Sequence, residues 1–238
     1  MVYLNIIKME KINNFVDYCN QHLDFSIQPP YGYQSAPICA LDSVFSIGVK
    51  YTSVCNVLTR FCNGLGLEFN GQGREVAVST TITTSDLLKK FDAKNIDANI
   101  LAKDYTNKQR TSTKSGILKA DAYLQYLKVM KKHKVETVKD IHKICGNLTF
   151  EQDIKSITGL GSGITLDYLY ILAGIDDYVK VDRHITRFCQ AATMTNDLTK
   201  ECIVSIIREG ASILSKKRDY KITARHLDHI IWEYKSQQ

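Results

Sequence analysis

Apolar residues recur along this chain at the spacing of amphipathic helices. Ile12, Phe15, Val16, Cys19 and Leu23 fall at i, i+3, i+4, i+7 and i+11, one face of a first helix. That helix ends before Ile27-Gln-Pro-Pro-Tyr-Gly-Tyr-Gln, where two prolines enforce extended or turn geometry. A second helix is predicted from about Pro37, carrying Leu41, Val44 and Phe45 and breaking at Gly48. A third runs from about Tyr51 to Cys62 and stops at Asn63-Gly64, a natural C-cap. Glu75-Val-Ala-Val-Ser-Thr-Thr-Ile reads as a short strand or a loop, and Thr84 or Ser85 caps a short helix holding Leu87 and Leu88. The long helical pattern spans Ser115 to His133, with Ile117, Ala120, Tyr123, Leu124, Leu127 and Met130 on one face. Val138 to Ile144 gives another helix. Phe150, Ile154 and Ile157 then mark a short one, and Ile164, Tyr168, Ile171 and Leu172 its successor. A helix containing Ile185, Phe188 and Cys189 follows Asp182, and a further one follows an Asn196/Asp197 cap. Leu227, Ile230, Ile231 and Tyr234 mark the last. There is no internal repeat and no low-complexity tract. The expected fold class is all-α.

Composition narrows the partners. A 44% hydrophobic content over 238 residues is ordinary for a globular chain able to bury a sizeable core. A net charge of +6 is compatible with a polyanionic partner without pointing to one. The seven cysteines are dispersed with no CxxC pair, which fits reduced thiols in a cytoplasmic protein better than a disulfide framework. No apolar run approaches the roughly 18 residues of a membrane span, and the N-terminus lacks the charged region of a secretory signal. No membrane partner is expected. The histidines include no metal-binding set: His226-x-x-His229 has Asp228 beside it but no cysteine partner. No Walker-type phosphate loop is present either. Neither metal nor cofactor is therefore expected.

The residues most informative about function are 157 to 189. Gly159, Gly161 and Gly163 alternate with small or apolar residues between two short helical patterns. A glycine hairpin at that place brings a phosphate close to bare backbone N–H groups, and the second helix adds the positive end of its dipole. Such a site holds a nucleic-acid backbone without reading its sequence. Glycines also serve tight interhelical turns and nothing more. Downstream stands Val181-Asp182-Arg183-His184-Ile185-Thr186-Arg187, with Asp182 19 positions beyond Gly163.

Hairpin and Asp segment together resemble the helix-hairpin-helix motif of the endonuclease III superfamily of DNA glycosylases. The resemblance implies a two-lobed helical fold with a cleft between lobes. Residues 37–176 would form a six-helix lobe ending in the hairpin, and residues 1–36 with 177–238 a second lobe. It implies Asp182 as the catalytic carboxylate at the cleft mouth. Gly159, Leu160, Gly161, Ser162, Gly163, Ile164 and Thr165 would contact double-stranded DNA, with Arg183, His184 and Arg187 extending the track. Lys50 and Tyr51 occupy the loop where family members insert a side chain into the duplex, and Tyr51 would fill the gap left by an extruded base or else be buried in the core. Tyr31 and Tyr33, beside the prolines, are candidates for stacking on an extruded base, or else form an aromatic-proline packing knot. The implied function is excision of a damaged, mismatched or modified base by a monomeric enzyme. The alternatives are a non-catalytic DNA-binding protein on the same scaffold and a glycosidase acting on RNA or free nucleosides.

Two departures from the family pattern refine that expectation. Members that also cut the backbone carry a lysine two residues after the last hairpin glycine; counting on from Gly161 reaches Gly163, which offers no amine for a Schiff base. Many members also have four clustered cysteines for an iron–sulfur cluster. Here only Cys189 and Cys202 follow Asp182, so no cluster is expected. Each remaining candidate has a plain structural role as well. Asp182 is a good N-cap for a helix beginning at Arg183. His184 could donate a hydrogen bond that orients the Asp182 loop, or merely pack. The dense basic run Lys131-Lys-His-Lys134 suits a helix C-terminus on dipole grounds alone.

Overall fold

The computed structural model describes residues 2–30, 32–67 and 81–236, the side chains of residues 2–8 excepted. Among these residues the protein is all-α, and no helix is long and apolar enough to cross a membrane. The chain divides into two compact units: residues 1–30 with 175–238, and residues 31–174.

The first unit packs four helices, α1 (Val2–His22), α10 (Arg183–Thr193), α11 (Lys200–Arg218) and α12 (Ala224–Ser236). The stripe Ile12, Phe15, Val16, Cys19 and Leu23 is buried as its periodicity predicts, against Ile185, Phe188 and Cys189 of α10 and Ile203, Ile206 and Ile207 of α11. Leu227, Ile230 and Ile231 of α12 complete this core. Where α1 meets α11, Gly210 leaves room for an aromatic ring: a Cβ there would lie 2.6 Å from Phe15 Cε1. The expected Asn196/Asp197 cap of α11 is replaced by Thr199, whose hydroxyl accepts from Cys202 N.

The second unit contains α2 (Ala36–Phe45), α3 (Tyr51–Leu65), α4 (Thr84–Ala93), α5 (Ala98–Ile100), α6 (Lys119–Lys132), α7 (Val138–Ile144), α8 (Leu148–Lys155) and α9 (Ile164–Leu172). A π-helical turn, Leu101–Tyr105, continues α5. Helix α2 is buried along its whole length and packs against α3, α6 and α9. Two boundaries differ from expectation. Helix α3 does not stop at Asn63-Gly64: Gly64 is helical with its bare Cα against the Tyr105 ring, and Gly66, in the left-handed region at φ 65°, is the cap. Helix α6 begins at Lys119 rather than Ser115, because Thr111 N donates to Ile117 O at 2.9 Å and Leu118 forms an isolated bridge with Arg110. Thr83, one residue earlier than expected, caps α4. Glu75 and its neighbours lie outside the described residues.

Gly210→Ala sets two effects against each other. Alanine favours a helix over glycine by about 1 kcal/mol, whereas overpacking a closed core costs about 1–3 kcal/mol. Phe15 is fully buried and packs edge-on against Phe188, with ring centroids 6.0 Å apart. The expected outcome is a net loss of stability in denaturant unfolding; a rise in the midpoint would show that α1 can shift away from α11.

Candidate functional site

The hairpin belongs to the second unit. Asn147 caps α8 by accepting from Phe150 N at 3.0 Å, and Phe150 and Ile154 anchor that helix in the core. The chain then turns through bonds from Ile157 N to Ile154 O, Leu160 N to Ile157 O, and Gly163 N to Leu160 O, of 3.1, 2.9 and 3.0 Å. Ile157 and Leu160 point inward and pin the turn. Gly159 and Gly163 adopt left-handed φ values of 89° and 74°, so both satisfy backbone requirements of the turn itself. Gly161 is different. Its φ is not left-handed, it is exposed, and a Cβ built on it would meet only Lys155 O, at 3.6 Å. The protein's own packing does not demand a glycine there.

Among the described residues, the N–H groups of Gly161 and Ser162 donate to nothing, and both residues are exposed. Gly163 caps α9 without a side chain, and Ile164 N has only a 3.5 Å contact with Ser162 Oγ. The N-terminus of α9 thus leaves its first donors unsatisfied, the condition that makes a helix end attractive to an anion. Thr165 is buried with its hydroxyl unpartnered among the described residues. Thr165 can therefore offer a ligand only its backbone, and Leu160, with a buried side chain and an N–H already given to Ile157 O, offers a phosphate no donor.

Asp182 lies in the first unit. Its Oδ1 accepts from His184 N at 2.8 Å and Ile185 N at 3.2 Å, capping α10. Oδ2 has no partner among the described residues, and the residue is half-buried. The preceding backbone is fixed from α12: Lys180 N donates to Asp228 Oδ1 at 2.9 Å, and Arg225 N to Asp176 O at 2.9 Å. Ile185, Phe188 and Cys189 fix the rotation of α10, which leaves Arg183 and Arg187 exposed one turn apart, with no carboxylate partner among the described residues. The His184 ring makes no hydrogen bond among them, so it does not orient the loop. Asp228 does that. The spacing of residues 226 to 229 gives no sign of this role, because Asp228 acts on a backbone 48 positions away.

Lys50 is exposed at the start of α3 and Tyr51 is half-buried. Lys119 holds the turn in front of them. Its ammonium donates to Phe45 O at 2.9 Å, Ile47 O at 2.7 Å and Gln109 Oε1 at 3.1 Å. Burial pushes the Lys119 pKa down to about 8, which still leaves it charged at neutral pH. Tyr33 does not provide an exposed stacking ring. It is buried, its hydroxyl donates to Asp42 Oδ2 at 2.8 Å, and burial followed by the nearby Asp42 pushes its pKa well up. Tyr31 lies outside the described residues. Among those described, no three His, Cys, Asp or Glu side chains are grouped to hold a metal ion.

Lys119→Met should cost about 2–3 kcal/mol, since hydrogen bonds to a charged group disappear and buried carbonyls are left bare. Denaturant unfolding should show that loss, and amide exchange should quicken at Ser46 and Ile47. Unaltered stability would mean that the turn satisfies its own carbonyls.

No curated protein and no solved structure matches this chain. A family model described as a domain of unknown function, DUF8548, matches residues 13–236, and the chain belongs to that family.

Proposed function

We propose that this protein is a monofunctional DNA N-glycosylase that hydrolyses the bond between deoxyribose and a damaged, mismatched or modified base flipped from the duplex. The observation that carries the reading is the state of Asp182. Two backbone N–H groups hold one carboxylate oxygen, while the other is left without a partner among the described residues. As the base departs with the bonding pair, positive charge develops at C1′. A carboxylate already fixed in place stabilises that charge without having to reorganise. The same oxygen can orient a water and take its proton as the new C1′–O bond forms. Asp182 needs no cofactor for this chemistry.

The hairpin supports the same reading with a separate role. The N–H groups of Gly161 and Ser162, unpaired among the described residues and at the positive end of α9, suit a backbone phosphate. Exposed Arg183 and Arg187 add cationic groups on the helix that Asp182 caps. Phosphate contacts of these kinds hold DNA without selecting sequence. No lyase step is included, because Gly163 carries no amine.

Asp182→Asn tests the chemistry. Asparagine caps a helix as well as aspartate, so fold and docking should persist. Losing the charge opposite C1′ should slow excision by about 100- to 1000-fold. The assay uses duplexes carrying a panel of lesions and mismatches, with alkali cleavage revealing abasic sites. Excision at the parental rate would pass the catalytic role to another carboxylate. Duplex binding without excision by either protein would leave a binding module.

Gly161→Val tests the hairpin. A Cβ at this exposed position meets only Lys155 O, at 3.6 Å, so the fold should be retained. A side chain where the phosphate approaches should weaken duplex binding by at least about tenfold. Undiminished affinity would confine the hairpin to its role as a turn.

A further inference from the structure

We infer that residues 107–116 form a second element that grips the phosphate backbone of duplex DNA, beside the hairpin and in the same compact unit. The inference rests on the DNA-binding reading above and adds an element outside the motif.

The first observation is contact. Thr111 Oγ1 donates to Thr158 O at 3.4 Å, and a Cβ on Gly159 would lie 2.2 Å from Thr111 Oγ1. The loop therefore sits directly against the hairpin turn. Gly159 is glycine for two reasons, its positive φ and this approach.

The second observation is order. Thr111 N donates to Ile117 O at 2.9 Å and Lys119 N to Gln109 O at 2.8 Å, closing the loop across its base. Arg110 Nε donates to Gly116 O at 2.8 Å, and Ser115 N to Ser112 Oγ at 3.2 Å. Gly116 allows the fold-back, since a Cβ there would lie 2.1 Å from Ser112 N. A surface held in this way loses little further freedom on binding.

Charge supplies the third. No acidic residue occurs between Asp104 and Asp121, yet Lys108, Arg110 and Lys114 stand exposed in that interval. None of the three has a carboxylate partner among the described residues. Several lysines elsewhere in the unit do: Lys132 pairs with Asp153 at 2.7 Å, Lys143 with Asp140 at 3.2 Å and Lys155 with Glu151 at 3.2 Å. Exposed Ser112, Thr113 and Ser115 add hydroxyl donors. Unneutralised cations, hydroxyls and bare backbone N–H groups on adjoining loops suit a row of phosphates.

The test is duplex binding measured by fluorescence anisotropy between about 50 and 200 mM KCl. A Lys108→Ala, Arg110→Ala, Lys114→Ala triple variant should flatten the plot of log affinity against log salt by about 2–3, at roughly 0.9 for each phosphate no longer neutralised. A Lys108→Gln, Lys114→Gln double variant keeps the Arg110 bond to Gly116 O, so the loop stays closed, and should flatten the plot by about 2. Parental slope and affinity in the folded double variant, alongside weakened binding by Gly161→Val, would overturn the inference and leave the hairpin reading standing. A parent protein that binds no duplex would overturn both.

Discussion

Helix α2 has no exposed side chain, so every polar group it carries must find a partner inside the protein. Asp42 receives the Tyr33 hydroxyl at 2.8 Å and the Ser46 hydroxyl at 2.8 Å. The Pro37 carbonyl accepts from Tyr123 at 3.0 Å, and Lys119 caps the far end through Phe45 O and Ile47 O. These demands reach outward. Tyr33 is drawn into the interior and so is no exposed ring. Lys119 fixes the turn that presents Lys50 and Tyr51, and through Gln109 it also ties down the base of the 107–116 loop. The burial of one helix thereby orders two surface loops of the candidate interface.

In the other unit a single side chain carries both architecture and the proposed chemistry. An aspartate N-cap contributes about 1 kcal/mol to a helix, and Asp182 uses one oxygen for that purpose. Capping alone would serve equally well with serine, threonine or asparagine, none of which keeps a negative charge on a second oxygen. The cap restricts the side chain to one orientation, and Asp228 restricts the backbone that leads to it. A carboxylate held in this way has little to reorganise when charge develops nearby, which is the condition for electrostatic catalysis. His226 belongs to the same support. Its Nε2 lies 2.8 Å from Ile27 O, and burial lowers its pKa. That contact ties α12 to the segment that follows α1.

How much is legible in the sequence follows from the range of each interaction. Helices with one buried face are plain from their periodicity: the α1 stripe and the α12 positions Leu227, Ile230 and Ile231 are core residues. The cap at Asp182 is legible because it is local, closing within three residues. Boundaries decided by distant contacts are not. Helix α3 outruns its Asn-Gly signal because Gly64 fits against Tyr105, and α6 starts late because Ile117 and Leu118 pair with the chain just before them. The turn around residues 98–105 carries no clear periodicity, which hides its Asp97 cap. Lys119 and Asp228 are hidden because they act at long range. Their partners lie up to 74 positions away.

Basic residues show how far sequence density can mislead about field. Lys131-Lys-His-Lys134 is the densest cationic run, yet acids answer most of it. Asp153 takes Lys132 at 2.7 Å and His133 at 2.6 Å, and those contacts hold its carboxyl below the usual range. Lys131 meets Ser85 and, at 3.6 Å, Glu136. A phosphate approaching this run would have to compete with carboxylates already in place. Lys108, Arg110 and Lys114 are spread more thinly along the chain, but no acid sits among them. Attraction for a polyanion depends on the net local charge and on the counterions released when it is neutralised. On that measure the sparse loop outweighs the dense run, and the net charge of +6 does not say where the unpaired cations lie.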